Sequence, residues 1–236
     1  MRINKYLASA GKGSRRKCEE LVLEGRVRIN GRPCVKLSAD VGENDVVTVD
    51  GYKVVATTSH VYILLNKPKG CICSRSDEKG RKTVFDIASS FCSDPRLFSV
   101  GRLDYDTEGL LLLTTDGDMA NKLTHPRNEI EKTYVLKIEG EISEIDIDKL
   151  RRGVVIDGVK TKRCKLKLLE FKDNISRLEI KINEGRNRQI RKMFETINRE
   201  VIFLKRMAIG DLRLGGLSRG ACRYLRDDEV NYLKYI

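Results

Sequence analysis

Histidine is almost absent from this 236-residue chain: His60 and His125 are the whole supply. Neither falls in a segment that looks chemical, which argues against a hydrolase built on a histidine base. Seven cysteines stand at 18, 34, 71, 73, 92, 164 and 222 with no CxxC pair among them. With so few histidines this excludes the usual zinc spacings, and an odd, scattered set reads as free thiols in a reducing compartment. No GxxxxGK[ST] loop occurs, which disfavours a nucleoside triphosphatase. No apolar run approaches the roughly 18 residues of a membrane helix. The opening MRINKYLASAGKGSRRK lacks the apolar stretch of a secretory signal. The expectation is a cytoplasmic protein without membrane partner, metal or cofactor, and a monomer.

Basic charge, by contrast, is plentiful. Lysine and arginine total 46 against 34 acidic residues, a net charge of +12 with a pI near 9.4. That balance speaks to partners and favours nucleic acid or another polyanion. It is also uneven: residues 1–36 carry ten Lys/Arg and three acids, a local excess of 10 − 3 = +7. The length allows two compact domains.

Within that basic stretch a helix is expected over 4–8, ending at Gly11, and a second begins at Ser14, a suitable N-cap. Arg15, Arg16 and Lys17 fill its first turn and oppose the helix dipole, a conflict that a bound phosphate would relieve. Gly25 ends the helix, and Asn30-Gly31 and Asp50-Gly51 each mark a two-residue hairpin. From Arg2, Asn4, Lys5 and Leu7 through Ser14, Arg15 and Arg16 to Gly25, Arg26, Val27, Asn30 and Gly31, the segment resembles the small RNA-binding module first known from ribosomal protein S4. The resemblance implies RNA contacts from Arg2, Lys5, Arg15, Arg16 and Arg26. We place this module at 1–51, a linker at 52–60 and a second domain at 61–236.

The second part opens with a strand over 61–65, then LNKPKG at 65–70, where Pro68 and Gly70 turn the chain. Strands are expected over 134–138, 165–171 and 177–183, and helices over 118–124, 143–151 and 187–196. This gives an α+β fold: a small α/β N-terminal module, then a large, mainly antiparallel sheet flanked by helices. The run GRLDYDTEGLLLLTTDG at 101–117 puts Arg102, Asp104, Asp106 and Glu108 ahead of four consecutive leucines. Leucines in a core strand and charges on a loop at a cleft's edge would place Asp104 where it could work on a bound anionic substrate. Glu131-Lys132-Thr133-Tyr134 offers an aromatic beside a cation, and NEGRNRQIRKMFE at 183–195 gathers Arg186, Arg188, Arg191 and Lys192. A carboxylate, an aromatic face and bidentate cations suit a nucleobase taken out of its helix. Taken singly, Tyr134 reads as a core strand aromatic, Arg191 as a helix-surface cation, and Lys67 equally as a solvated turn residue or a functional one.

These segments, in this order, resemble the ribosomal-RNA pseudouridine synthases of the small-subunit-synthase type. The departures are Thr115, where asparagine is common, and Arg188, where some relatives carry histidine. The resemblance implies isomerisation of a uridine in RNA without metal or cofactor. In it, Asp104 is the catalytic nucleophile or base, Tyr134 stacks on the uracil, Arg191 pairs with Asp104, and Arg102 helps hold the flipped nucleotide. Lys67, Arg186 and Arg188 are expected to contact RNA. The partner it implies is ribosomal RNA or a pre-ribosomal particle. The flavour of 186–195 favours a large-subunit target over a small-subunit one. A non-catalytic assembly factor and a glycosidase pairing Asp104 with Asp106 or Glu108 are the rivals from other classes.

Overall fold

A computed structural model describes every residue except Ser76. It divides the chain into two compact units, Met1–Val61 with Ser93–Phe98, and Tyr62–Cys92 with Ser99–Ile236. The first unit begins with α1 (Ile3–Ser9) and α2 (Arg15–Leu23), followed by β1 (Val27–Ile29), β2 (Arg32–Pro33), β3 (Val47–Val49) and β4 (Tyr52–Val54). Ile3 and Leu7 on α1, and Cys18, Leu21 and Val22 on α2, recur at the spacing of one helical face. They pack on Val27, Val47, Val49 and Val54 from the strands. The Ser14 side chain accepts from the Lys17 amide, and no acid occupies the first turn of α2.

Both hairpin signals are realised. Asn30 and Gly31, and likewise Asp50 and Gly51, all take positive φ, the backbone a type I′ turn demands. The sheet order is β2-β1-β3-β4. One difference from the sequence reading concerns only the linker's start: Tyr52–Val54, read as the return strand of the second hairpin yet also counted in the linker, is the fourth strand, pairing with β3 at Val47–Val54 and Val49–Tyr52. A second is that 93–98, far along the chain, belongs to this unit; Arg96 donates to the Ser9 carbonyl at 3.4 Å.

The remaining elements, in chain order, are β5 (Tyr62–Lys67), α3 (Val84–Ser89), β6 (Phe98–Ser99), β7 (Glu108–Thr114), α4 (Gly117–Thr124), β8 (Lys132–Glu139), α5 (Glu144–Arg151), β9 (Val155–Ile156), β10 (Val159–Lys160), β11 (Lys165–Lys172), β12 (Ile175–Ile182), α6 (Gln189–Glu195), β13 (Val201–Ile209), β14 (Leu212–Arg213), β15 (Cys222–Tyr224) and α7 (Asp227–Tyr235). The large sheet runs β11-β12-β8-β13-β7-β5-β15. Its pairings are antiparallel except β13 with β7, which is parallel. All of β7 is buried, Leu110 to Leu113 completely, as expected for a strand covered on both faces. The sequence reading assigned no element to β13, yet this strand bridges the two halves of the sheet. Among the described residues no helix is long and apolar enough to cross a membrane.

Gly109 makes the parallel pairing possible. Its φ is +105°, and a Cβ there would lie 2.2 Å from the Arg206 carbonyl oxygen and 2.7 Å from its amide nitrogen. Only a residue without a side chain lets β13 come this close to β7.

Candidate active site

The loop before β7 is held by its backbone. Lys67, at the end of β5, is completely buried. Its ammonium donates to the carbonyls of Thr107 at 2.9 Å, Asp104 at 3.0 Å and Pro68 at 3.2 Å. Burial pushes this ammonium below the usual lysine range. On the other side the Leu103 amide donates to the Cys73 thiol and the Leu103 carbonyl accepts from it, both at 3.4 Å. Gly70 donates its amide to the Tyr105 carbonyl at 2.8 Å, and the Thr107 amide closes a turn onto the Asp104 carbonyl at 3.1 Å. Each of these contacts uses main chain. The Asp104 carboxylate itself forms no hydrogen bond or ion pair among the described residues and lines an adjoining cleft of about 420 Å³, a size suited to a small-molecule group.

Tyr134, on β8, lines the same cleft and is 8% exposed. Its cross-strand neighbour on β13 is Arg206, and the β8–β13 register shifts just beyond this pair, a bulge of the kind that re-aims side chains beside sites. Arg102, Arg186 and Arg188 also border the cleft. Arg102 and Arg188 are exposed. Arg186 already donates to the carbonyls of Val159 at 3.0 Å and Ile156 at 2.7 Å.

Two expectations are corrected here. Lys67 is not a solvent-facing RNA contact: its donors are spent on carbonyls inside the protein, so it positions the Asp104 loop. Arg191 does not pair with Asp104. From α6 its guanidinium meets the carboxylate of Asp106 at 3.0 Å and the Asp106 carbonyl at 3.3 Å, and it also donates to the Val201 carbonyl. Arg188 reaches the other Asp106 oxygen at 3.5 Å. The turn between Asp104 and Thr107 sends the two carboxylates to different surroundings: Asp104 borders the cleft and Asp106 faces α6. Glu108, 5% exposed, pairs with Arg219 at 3.2 Å. Neither Asp106 nor Glu108 lines the cleft.

In the first unit Arg2, Arg15 and Arg16 are exposed, while Lys5 is half-buried. Arg26 forms a bidentate pair with Asp50, at 2.8 and 2.6 Å, and a further contact with Glu24, so its charge is largely matched within the module. The sequence reading passed over Arg206, which is 3% exposed and lines the cleft. A signal for it existed: on β13, Leu204, Arg206 and Ala208 are buried in alternation, putting an arginine on the apolar face of a strand.

Comparison with known proteins agrees with this architecture. The RNA pseudouridylate synthase model matches residues 61–196, and the S4 domain model matches 1–47. The ribosomal large subunit pseudouridine synthase B of Bacillus subtilis is 46% identical over 235 residues, spanning 99% of this chain and 95% of that protein. The protein of the same name from Vibrio cholerae is 39% identical over 241 residues, spanning 99% and 74%. A crystal structure of a pseudouridylate synthase superposes with a TM-score of 0.71 at 30% identity, covering 99% of both chains. The chain is therefore a member of the RNA pseudouridylate synthase family, an RNA-modifying isomerase with an S4 domain at its N-terminal end.

Proposed function

We propose that this enzyme converts a uridine of large-subunit ribosomal RNA to pseudouridine, with Asp104 as its catalytic carboxylate and Tyr134 as the ring that stacks on the uracil. The observation that carries the reading is the free carboxylate of Asp104, held by loop backbone at the cleft that Tyr134 lines. The names of the two curated relatives support the large-subunit target. The reaction breaks the N1–C1′ bond, turns the uracil and joins C5 to C1′.

Reaching the base means unstacking it, at a cost of a few kcal/mol. Exposed Arg102 and Arg188 at the cleft's border, together with Arg2, Arg15 and Arg16 of the S4 domain, supply phosphate contacts that offset this cost and set the approach without reading sequence. A glycosidase pairing Asp104 with Asp106 or Glu108 is disfavoured, because both are held in ion pairs outside the cleft.

Chemical mapping of pseudouridine across ribosomal RNA, in cells with and without the gene, names the target. A site lost from the small subunit instead would move the assignment there. Tritium release from RNA labelled at uridine C5 then tests the residue. Asp104→Asn should bind RNA like the wild type and release no tritium, because it keeps the shape and removes the charge. Substantial release by this variant would remove Asp104 from the chemistry. Loss of no modification anywhere would favour a non-catalytic assembly factor.

A further inference from the structure

The cleft holds two cations that the reading above leaves without a task. Arg206 donates through Nε to the Leu110 carbonyl at 2.8 Å. Its Nη2 is shielded from solvent and has no hydrogen-bond partner. Lys132 is half-buried, with one hydrogen bond, to the Ile130 carbonyl at 2.9 Å. Among the described residues neither comes within ion-pair distance of a carboxylate. A buried arginine without a counter-ion is costly, and an orphaned buried donor calls for an explanation in function.

Placement supplies one. Arg206 is the cross-strand partner of Tyr134, and Lys132 precedes Tyr134 by two residues on β8. In a strand, residues two apart share a face, and all three residues line the cleft with Asp104. Burial, and then the charge of Arg206, push the Lys132 ammonium below its ordinary range.

We propose that Arg206 and Lys132 form an anion subsite for the negative charge that develops on the uracil ring when it leaves C1′. This rests on the functional reading above. As N1–C1′ breaks, the bonding pair stays on N1 and spreads to O2 and O4. At the same time C1′ bonds to the Asp104 carboxylate, or Asp104 takes the proton from C2′ and later returns it. When C5 bonds to C1′, the C1′–O bond to Asp104 breaks and its pair returns to the carboxylate (or C2′ takes back its proton). The C5 proton then leaves to solvent and N1 takes one up, so charge and protons balance. A backbone phosphate is the other anion these cations could hold. The base is favoured because both neighbour Tyr134 in the sheet, Arg206 buried and Lys132 half-buried, whereas the exposed Arg102 and Arg188 stand at the border where phosphates would pass.

The test uses the full chain carrying Lys132→Met, Arg206→Met or Arg206→Lys. It measures the saturating rate by tritium release and RNA affinity across a salt series. Each Met variant should lose about 10²–10³-fold in the saturating rate, as for removal of one oxyanion donor. Affinity and salt slope should stay unchanged, and Arg206→Lys should recover part of the loss. RNA with 5-fluorouridine at the target, followed by loss of the intact nucleotide, provides the decisive comparison. Its base is a more stable anion and leans less on the cations, so the gap between wild type and variant should narrow. If Arg206→Met does not fold, the half-buried Lys132→Met carries the comparison alone.

An equal loss on both substrates would assign a merely structural role and overturn the proposal. So would an unchanged rate, or weaker binding with a salt slope smaller by roughly 0.7, the signature of a lost phosphate contact. A wild type that releases no tritium from any ribosomal RNA would sink the functional reading itself. An active wild type with unaffected variants would sink the subsite alone.

Discussion

Replacing Lys67 by methionine separates a positioning role from RNA contact. The substitution keeps most of the side-chain volume and removes three hydrogen bonds, to Thr107, Asp104 and Pro68. The bond to the Thr107 carbonyl is the buried one, and leaving such an acceptor unpaired costs about 1–3 kcal/mol. The other two bonds are only part-buried. Set against this, the cost of burying an ammonium disappears. Because this relief offsets part of the cost, the net loss is at most about 1–3 kcal/mol, with each kcal/mol lowering Tm by about 2–4 °C in a chain of this size. The larger effect should fall on turnover, since displacing a catalytic group by about 1 Å costs on the order of 10²-fold. RNA affinity should not change, because Lys67 has no exposed surface.

Stability and pH add a signed check on Lys67. Its folded ammonium is held below the ordinary 10.5. Between that lowered value and 10.5 the unfolded chain therefore binds more protons than the folded one. Wild-type stability relative to Lys67→Met should rise with pH through this window and be constant, at its lower value, below it. Thermal unfolding across pH, tritium release at saturating RNA and binding in a salt series are the measurements. A variant with normal turnover, weaker RNA binding and a smaller salt slope would refute the reasoning, because the ammonium would then be touching phosphate.

Three further substitutions probe the same region. A double-mutant cycle of Arg191→Lys with Asp106→Asn should show a coupling of about 0.5–3 kcal/mol, with near-additivity against Asp104→Asn; the reverse pattern would restore an Arg191–Asp104 pair. Gly109→Ala should destabilise by about 2–5 kcal/mol, from a side chain at positive φ and a clash with the β13 backbone; urea unfolding measures it, and a loss under about 1 kcal/mol, the ordinary range for a tolerated swap, would show that β13 and β7 are not so tightly apposed. Tyr134→Phe should keep far more activity than Tyr134→Ala, since stacking needs the ring alone; equal rates after correction for folding would remove Tyr134 from the site.

What the sequence settled by itself was local or carried by motif. Ser14 caps α2 because a hydroxyl at that position reaches an orphan amide. Asn30-Gly31 and Asp50-Gly51 turn because these residues tolerate positive φ. Leu110 to Leu113 form a core strand because a continuous apolar run must be covered on both faces. Asp104 and Tyr134 stood out through the order of motifs, and both border the cleft. Tertiary structure decided the rest. Asp104 and Asp106 are two residues apart on a turn, and no spacing rule says which of them meets α6. Lys67 precedes a proline that ends its strand, a place equally suited to a solvated turn residue or an RNA contact, although the loop before β7 folds over it. Arg206 joins the cleft only because β13 pairs in parallel with β7, bringing it beside Gly109 from 97 positions away (206 − 109). Turn and cap chemistry acts between neighbours in the chain, whereas sheet pairing and burial are chosen by the packing of the whole core.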